Sequence, residues 1–147
     1  MTDESRVAPL PRSAFVHFQT LQTRWSDNDI YRHVNNAVYY HLVDTVVNGY
    51  LVEEGALDIE RSDVVGLVVE TRCNYFAPLV YPQNIDGGLA VQRIGRSSII
   101  YQVGLFAEGA TETAALAKFV HVYVDRDSHR PTAIPAPMLA AVEKLTV

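Results

Sequence analysis

Between residues 36 and 54 the chain carries a helical pattern that leaves little surface for water. Tyr39, Tyr40, Val43, Val46, Val47, Tyr50 and Leu51 recur at spacings of three and four, the period of an α-helix. Leu42 and Val52 widen the apolar surface beyond one stripe, and a helix apolar on most sides is surrounded by protein. Asn35 is placed to cap its start and Gly55 its end. Gly49, inside the pattern, costs about 1 kcal/mol relative to alanine and implies a close packing contact. No second long helical pattern follows. The cover for this helix therefore has to be a sheet.

The rest of the chain supplies strands. Residues 15–25 are rich in strand-favouring types: Phe15, Val16, Phe18, Thr20, Leu21, Thr23 and Trp25. Val65, Leu67, Val69, Thr71, Cys73 and Tyr75 alternate with their neighbours up to Phe76. Residues 85–94, 98–106 and 114–124 add three more strands. Gly95-Arg96-Ser97 and Glu108-Gly109-Ala110 are short turns between them, and strands so joined are antiparallel neighbours. Residues 1–12 read as a loose lead-in. Residues 126–147 read as a proline-rich exit with a short helix over 138–145. The expectation is one α+β domain over residues 1–147.

Charge and cysteine content exclude several classes. The net charge of −5 gives no global attraction to nucleic acid or an anionic membrane. Neither a membrane-length apolar run nor a signal-peptide pattern is present, so the expected setting is cytoplasmic. Cys73 is the only cysteine, so no intramolecular disulfide can form. It falls on an apolar alternation and reads as packing.

Chemistry concentrates between the first strand and the helix, in Trp25-Ser26-Asp27-Asn28-Asp29-Ile30-Tyr31-Arg32-His33-Val34-Asn35-Asn36. A polar loop ahead of a helix meets unpaired N–H groups and a positive dipole end. Taken alone, an Asp-x-Asp loop is more often turn chemistry, with carboxylates bonding nearby N–H groups. His33 with Asp27 and Asp29 is a metal set on paper only, because such mixtures are common in polar loops.

Asp27-Asn28-Asp29, followed by His33-Val34-Asn35-Asn36-Ala37-Val38-Tyr39-Tyr40, resembles the signature of hotdog-fold acyl-CoA thioesterases of the 4-hydroxybenzoyl-CoA thioesterase-like group. Asn74-Tyr75-Phe76-Ala77-Pro78-Leu79, Ile94-Gly95-Arg96-Ser97-Ser98-Ile99, and His121-Val122-Tyr123-Val124-Asp125 with Arg130-Pro131 resemble later parts of that family in the same order. The resemblance covers roughly residues 14 to 137. It implies a curved antiparallel sheet wrapped around a central helix, homodimers or homotetramers, and active sites where subunits meet. It implies no metal and no cofactor, since coenzyme A belongs to the substrate. Many relatives have glycine where this chain has Arg32.

By that resemblance Asp29 is the catalytic acid, either nucleophile on the thioester carbonyl or general base on water. The Asn36 backbone N–H is the group that polarises the carbonyl. Asp27 stays a loop brace, and Tyr39 and Tyr40 stay core. His33, Arg32, Asn35 and Arg96 are the expected substrate contacts, Arg96 being the first choice among the cations for the phosphates of coenzyme A. Release of acyl groups from an acyl carrier protein is the alternative activity. A non-catalytic hotdog protein that binds acyl-CoA is the alternative class.

Overall fold

The computed structural model describes residues 6–58 and 60–147. In chain order the elements are β1 (His17–Leu21), α1 (Asn36–Glu53), β2 (Val64–Tyr75), β3 (Ile85–Ile94), β4 (Ser98–Ala107), β5 (Ala115–Asp125) and α2 (Ala136–Glu143). The five strands form one sheet in the order β1-β3-β4-β5-β2, with every neighbouring pair antiparallel. α1 lies against its inner face, on β2, β3 and β4. This is the helix-on-sheet layering that the residue patterns lead one to expect, in the hotdog form that the family resemblance implies.

The helix is buried as its composition requires. Val46 and Val47 are fully covered, as are Leu89, Ile99, Tyr101, Val103 and Leu105 of the sheet. Each of the aliphatic side chains among them contributes about 1.5–3 kcal/mol by leaving water. At Gly87 a Cβ would lie 2.5 Å from Val46 Cγ2, so glycine lets α1 sit flush on β3. At Gly49 a Cβ would come within 2.9 Å of the Gln19 side chain, the expected close contact. Asn35 caps the start by accepting from the Ala37 N–H. At the other end the Gly55 N–H donates to Val52 O and the Ala56 N–H to Leu51 O, with Gly55 at φ 70°. That pair of hydrogen bonds over a left-handed residue is a Schellman cap.

Four expectations need correction. The first strand is His17–Leu21 rather than residues 15–25, because Asp27 captures the backbone of Arg24 and turns the chain into a single 3-10 turn at Trp25–Asp27. Trp25 ends 83% exposed. Tyr40 is exposed rather than core, while Tyr39 is buried. The lead-in is tied down from Leu10 onward. Leu10 exchanges bonds with Thr113, and Arg12 pairs with Asp86 at 2.7 Å. Residues 1–5 of that lead-in lie outside the described residues. Finally, the alternation in β2 does not become alternating burial: Leu67 to Arg72 are all exposed. β2 is the edge of the sheet, and the register with β5 slips between Val68 and Glu70. Among the described residues no helix is long and apolar enough to cross a membrane.

Candidate active site

The loop between β1 and α1 is held by its own polar groups. Asp27 is 2% exposed. Its Oδ2 accepts from the Arg24 N–H at 2.7 Å and its Oδ1 from the Arg24 guanidinium at 2.8 and 3.0 Å. Its carbonyl accepts from the Asn35 N–H at 2.8 Å. All these bonds stay within the loop, which is the bracing role expected of it. Asn28 and Val34 then pair as an isolated antiparallel bridge, closing a small loop over residues 29–33. The Asp29 N–H donates to His33 O and the Arg32 N–H to Asp29 O, both at 3.0 Å. This tight turn puts Arg32 at φ 64°, a left-handed conformation that favours glycine.

Asp29 differs from Asp27 in where its carboxylate goes. Oδ1 accepts from the Tyr31 N–H at 2.8 Å. Oδ2 accepts from Asn35 Nδ2 at 3.3 Å. Asn35 Oδ1 is at the same time the helix cap, 2.9 Å from the Ala37 N. One amide thus ties the carboxylate to the first turn of α1. The Val38 N–H is taken by the Asn35 carbonyl. The Asn36 N–H, the first of the helix, has no partner among the described residues. It is left to meet whatever enters the cleft, at the positive end of the helix dipole.

Two clefts meet at Asp29. One, of about 420 Å³, runs past Tyr31, His33, Asn36, Tyr39 and Tyr75. The other, of about 570 Å³, is walled by Trp25, Arg32, Val80, Tyr81 and Pro82. The loop is anchored between them by the Val34 N–H to Leu79 O at 2.8 Å and the Tyr81 N–H to Asn28 Oδ1 at 3.1 Å. The floor of the smaller cleft is neutral. The Tyr75 hydroxyl donates to the Asn36 carbonyl at 3.2 Å, and its ring meets Tyr39 edge-on at 4.8 Å. Burial pushes the Tyr39 and Tyr75 hydroxyls and the Cys73 thiol up. Cys73 is therefore a thiol at neutral pH and not a nucleophile.

The structure sets Asp29, His33 and Asn36 on the smaller cleft, with Asn35 bonded to Asp29 but not on the lining, and sets Arg32 on the larger. It does not bring Arg96 there. That residue follows the last residue of β3, whereas the loop follows Leu21, which pairs with Ile85 at the first. Ten strand residues separate the two ends, about 30 Å at the usual rise. Tyr75, Trp25 and Tyr81 line the clefts without having been singled out from the sequence. The signals for Tyr75 were its place at the close of the β2 alternation and in the family-like stretch Asn74 to Leu79. Among the described residues no three His, Cys, Asp or Glu side chains gather into a metal-binding group.

A family model described as the thioesterase-like superfamily matches residues 23–142. No curated protein matches the chain in sequence. Among solved structures, the PA5185 protein of Pseudomonas aeruginosa strain PAO1 is 50% identical, with a TM-score of 0.92 over 95% of this chain and 97% of that one. The PA2801 protein of Pseudomonas aeruginosa is 25% identical, with a TM-score of 0.79 over 87% of this chain and 98% of that one. Slr0204 of Synechocystis, a 1,4-dihydroxy-2-naphthoyl-CoA thioesterase, is 16% identical with a TM-score of 0.79, over 87% and 96% of the two chains. At that identity the likeness is one of fold.

Proposed function

The chain belongs to the thioesterase-like superfamily and is a thioester hydrolase, and from that premise we propose that it hydrolyses an acyl-CoA to a carboxylic acid and free coenzyme A at the Asp29 cleft. The observation that carries this reading is the tether. Asn35 holds the Asp29 carboxylate through its side chain while its neighbour Asn36 presents an unpartnered N–H at the same cleft. A thioester carbonyl seated there meets an anion and a donor together. The Asn36 N–H takes the growing negative charge on oxygen, the kind of contact worth about 3 kcal/mol of barrier.

Two roles are open to the carboxylate. It attacks the carbonyl carbon itself, the C–S bond breaks, the thiolate leaves, and water hydrolyses the mixed anhydride. Or it takes a proton from a water as that water's oxygen attacks, and the C–S bond breaks from the tetrahedral intermediate. Both use only the substrate and water. His33 lines the acyl-bearing cleft, and Arg32 on the larger cleft supplies a cation for the phosphates of coenzyme A. Slr0204, which shares the fold, is named for an acyl-CoA of this class.

Self-association completes the proposal. β2 presents Leu67, Val68 and Val69 exposed along a free edge, a template for pairing with another strand. Antiparallel pairing of two β2 edges lays the Tyr75 end of one copy beside the Val64 end of the other. The Val64 end of the sheet is also the end of the β3–β4 turn that carries Arg96. In such a dimer Arg96 serves the cleft of the other copy, which reconciles its expected role with its distance from Asp29 in its own chain.

A thiol-release assay over a panel of acyl-CoAs and acyl carrier protein thioesters tests the reading. Turnover of one or more acyl-CoAs, abolished by Asp29→Asn, is the expected result. A rate confined to carrier-bound acyl groups replaces the substrate class. Binding of acyl-CoA by calorimetry without thiol release overturns the activity.

A further inference from the structure

The inner sheet face is polar at one place where its surroundings are apolar. His121 and Tyr123 of β5 and Tyr101 of β4 are 3%, 1% and 0% exposed. Among the described residues, neither His121 Nδ1 nor the hydroxyls of Tyr101 and Tyr123 have a hydrogen-bond partner. The two hydroxyls are near enough to perturb each other's ionisation but not in the geometry of a sound hydrogen bond. Buried polar groups in folded proteins are nearly always matched, and each orphan is costly. The two hydroxyls lie near each other, but His121 Nδ1 has no such neighbour, and in a marginally stable domain it calls for a partner beyond the described residues.

A cavity of about 160 Å³ lies against two of them. His121 and Tyr123 form its buried polar end, Leu51, Leu57, Val65 and Met138 form apolar walls, and half-buried Asn48 and exposed Arg126 complete the lining. Gly66 belongs to the same lining. A Cβ there would stand 3.3 Å from the His121 ring and 3.2 Å from the Tyr123 ring, so glycine keeps the polar end open. The cavity borders Leu51 near the last turn of α1, fifteen residues beyond Asn36, or about 22 Å along the helix. It is separate from the Asp29 cleft.

We propose that this cavity binds a small neutral molecule with a hydroxyl head and an apolar body, about the size of phenol. Its hydroxyl exchanges hydrogen bonds with His121 Nδ1 and the Tyr123 hydroxyl, and its body fills the space between Leu51, Leu57, Val65 and Met138. Size fits: an apolar cavity of about 150 Å³ takes benzene, and the two polar groups at one end add selection for one hydroxyl. Charge fits as well. Burial pushes His121 down to about 4, so its imidazole is neutral at physiological pH, and the cation of the lining, Arg126, lies out toward solvent, away from the buried end.

The test is titration of the whole protein with phenol, benzene and benzoate, read by thermal melting and by the imidazole ¹⁵N resonances of His121. Phenol is expected to raise the melting temperature saturably and to shift the His121 resonances, with benzene about tenfold weaker and benzoate without effect. Tyr123→Phe is expected to weaken phenol about tenfold while leaving thiol release unchanged. Leu57→Phe, which narrows the cavity from its apolar side without touching the polar end, is expected to abolish binding and serves if the first variant folds poorly. The proposal is overturned by the absence of a saturable phenol effect, by binding that persists in both variants, or by water alone in the cavity of a crystal soaked in phenol. Because thiol release is assayed separately, failure here leaves the hydrolase reading intact.

Discussion

Asn36→Pro isolates the oxyanion donor, because the start of α1 is already built to accept proline. Asn35 has φ −60° and ψ 140°, the extended conformation that a residue before proline adopts. Asn36 is the first helical residue, where proline's fixed φ and missing N–H are tolerated. Its N–H bonds nothing among the described residues, and its carbonyl, which accepts from Tyr75, is kept. The substitution therefore deletes one donor and no native hydrogen bond. Stability should hold or rise by about 0.4–1 kcal/mol, since proline restricts the unfolded chain. Turnover should fall by about 10²–10³, or about 2.7–4 kcal/mol of barrier, the usual cost of one oxyanion donor. Asn36→Ala keeps the N–H and is the control for the side chain. The assay is thiol release with a chromogenic reagent, kcat and KM separately, beside thermal melting of both variants. A folded Asn36→Pro enzyme with kcat within about threefold of Asn36→Ala, under 1 kcal/mol of barrier, refutes the assignment of the carbonyl to this N–H.

Three further outcomes are expected. Asn at position 29 keeps an acceptor for the Tyr31 N–H but turns an amide toward Asn35 Nδ2, which cannot flip without releasing the Ala37 cap. Asp29→Asn should thus cost about 1 kcal/mol of stability and at least about a hundredfold in kcat, and unchanged turnover rejects the role. His121 is held neutral in the folded state, its pKa lowered by burial from 6.5 to about 4. The unfolded chain then binds the extra proton first, so stability is full above about pH 6.5 and falls toward pH 4, by about 3 kcal/mol at roughly 1.36 kcal/mol per pH unit. Urea midpoints across that range should lose this slope in His121→Phe, and a slope that persists unchanged excludes His121 as its source. Arg32→Gly should relieve a left-handed residue at φ 64° and gain about 1 kcal/mol of stability. It should also raise KM for acyl-CoA several-fold with little change in kcat, and an unchanged KM removes Arg32 from the substrate contacts.

The local elements were legible because their causes are local. The three-and-four spacing from Tyr39 to Leu51, the Asn35 cap and the Gly55 stop place α1 within a residue of its observed ends. The turns at Gly95 and Gly109 set the antiparallel meander of β3, β4 and β5. The choice of Asp29 over Asp27 rested on the family resemblance alone, because the loop by itself reads as turn chemistry for both. What separates the two in fact is the capture of Asp27 by Arg24, a bond that also ends β1 early and turns Trp25 out to solvent. Strand propensity alone carries no sign of that competition.

The chain's own pattern therefore determined a mostly apolar helix, the strands to cover it, and a polar loop at the helix's positive end, since periodicity, caps and turn residues act over a few positions. Only the tertiary structure decided which groups share a site. Tyr75 reaches Asn36 from thirty-nine residues away, Tyr81 fixes the loop through Asn28, and Arg96 is carried to the far end of β3. Strand order also made β2 an edge, so that residues patterned for burial face outward. Those outcomes depend on which strands pair and in what register, and such long-range closure leaves no mark at the level of neighbouring residues.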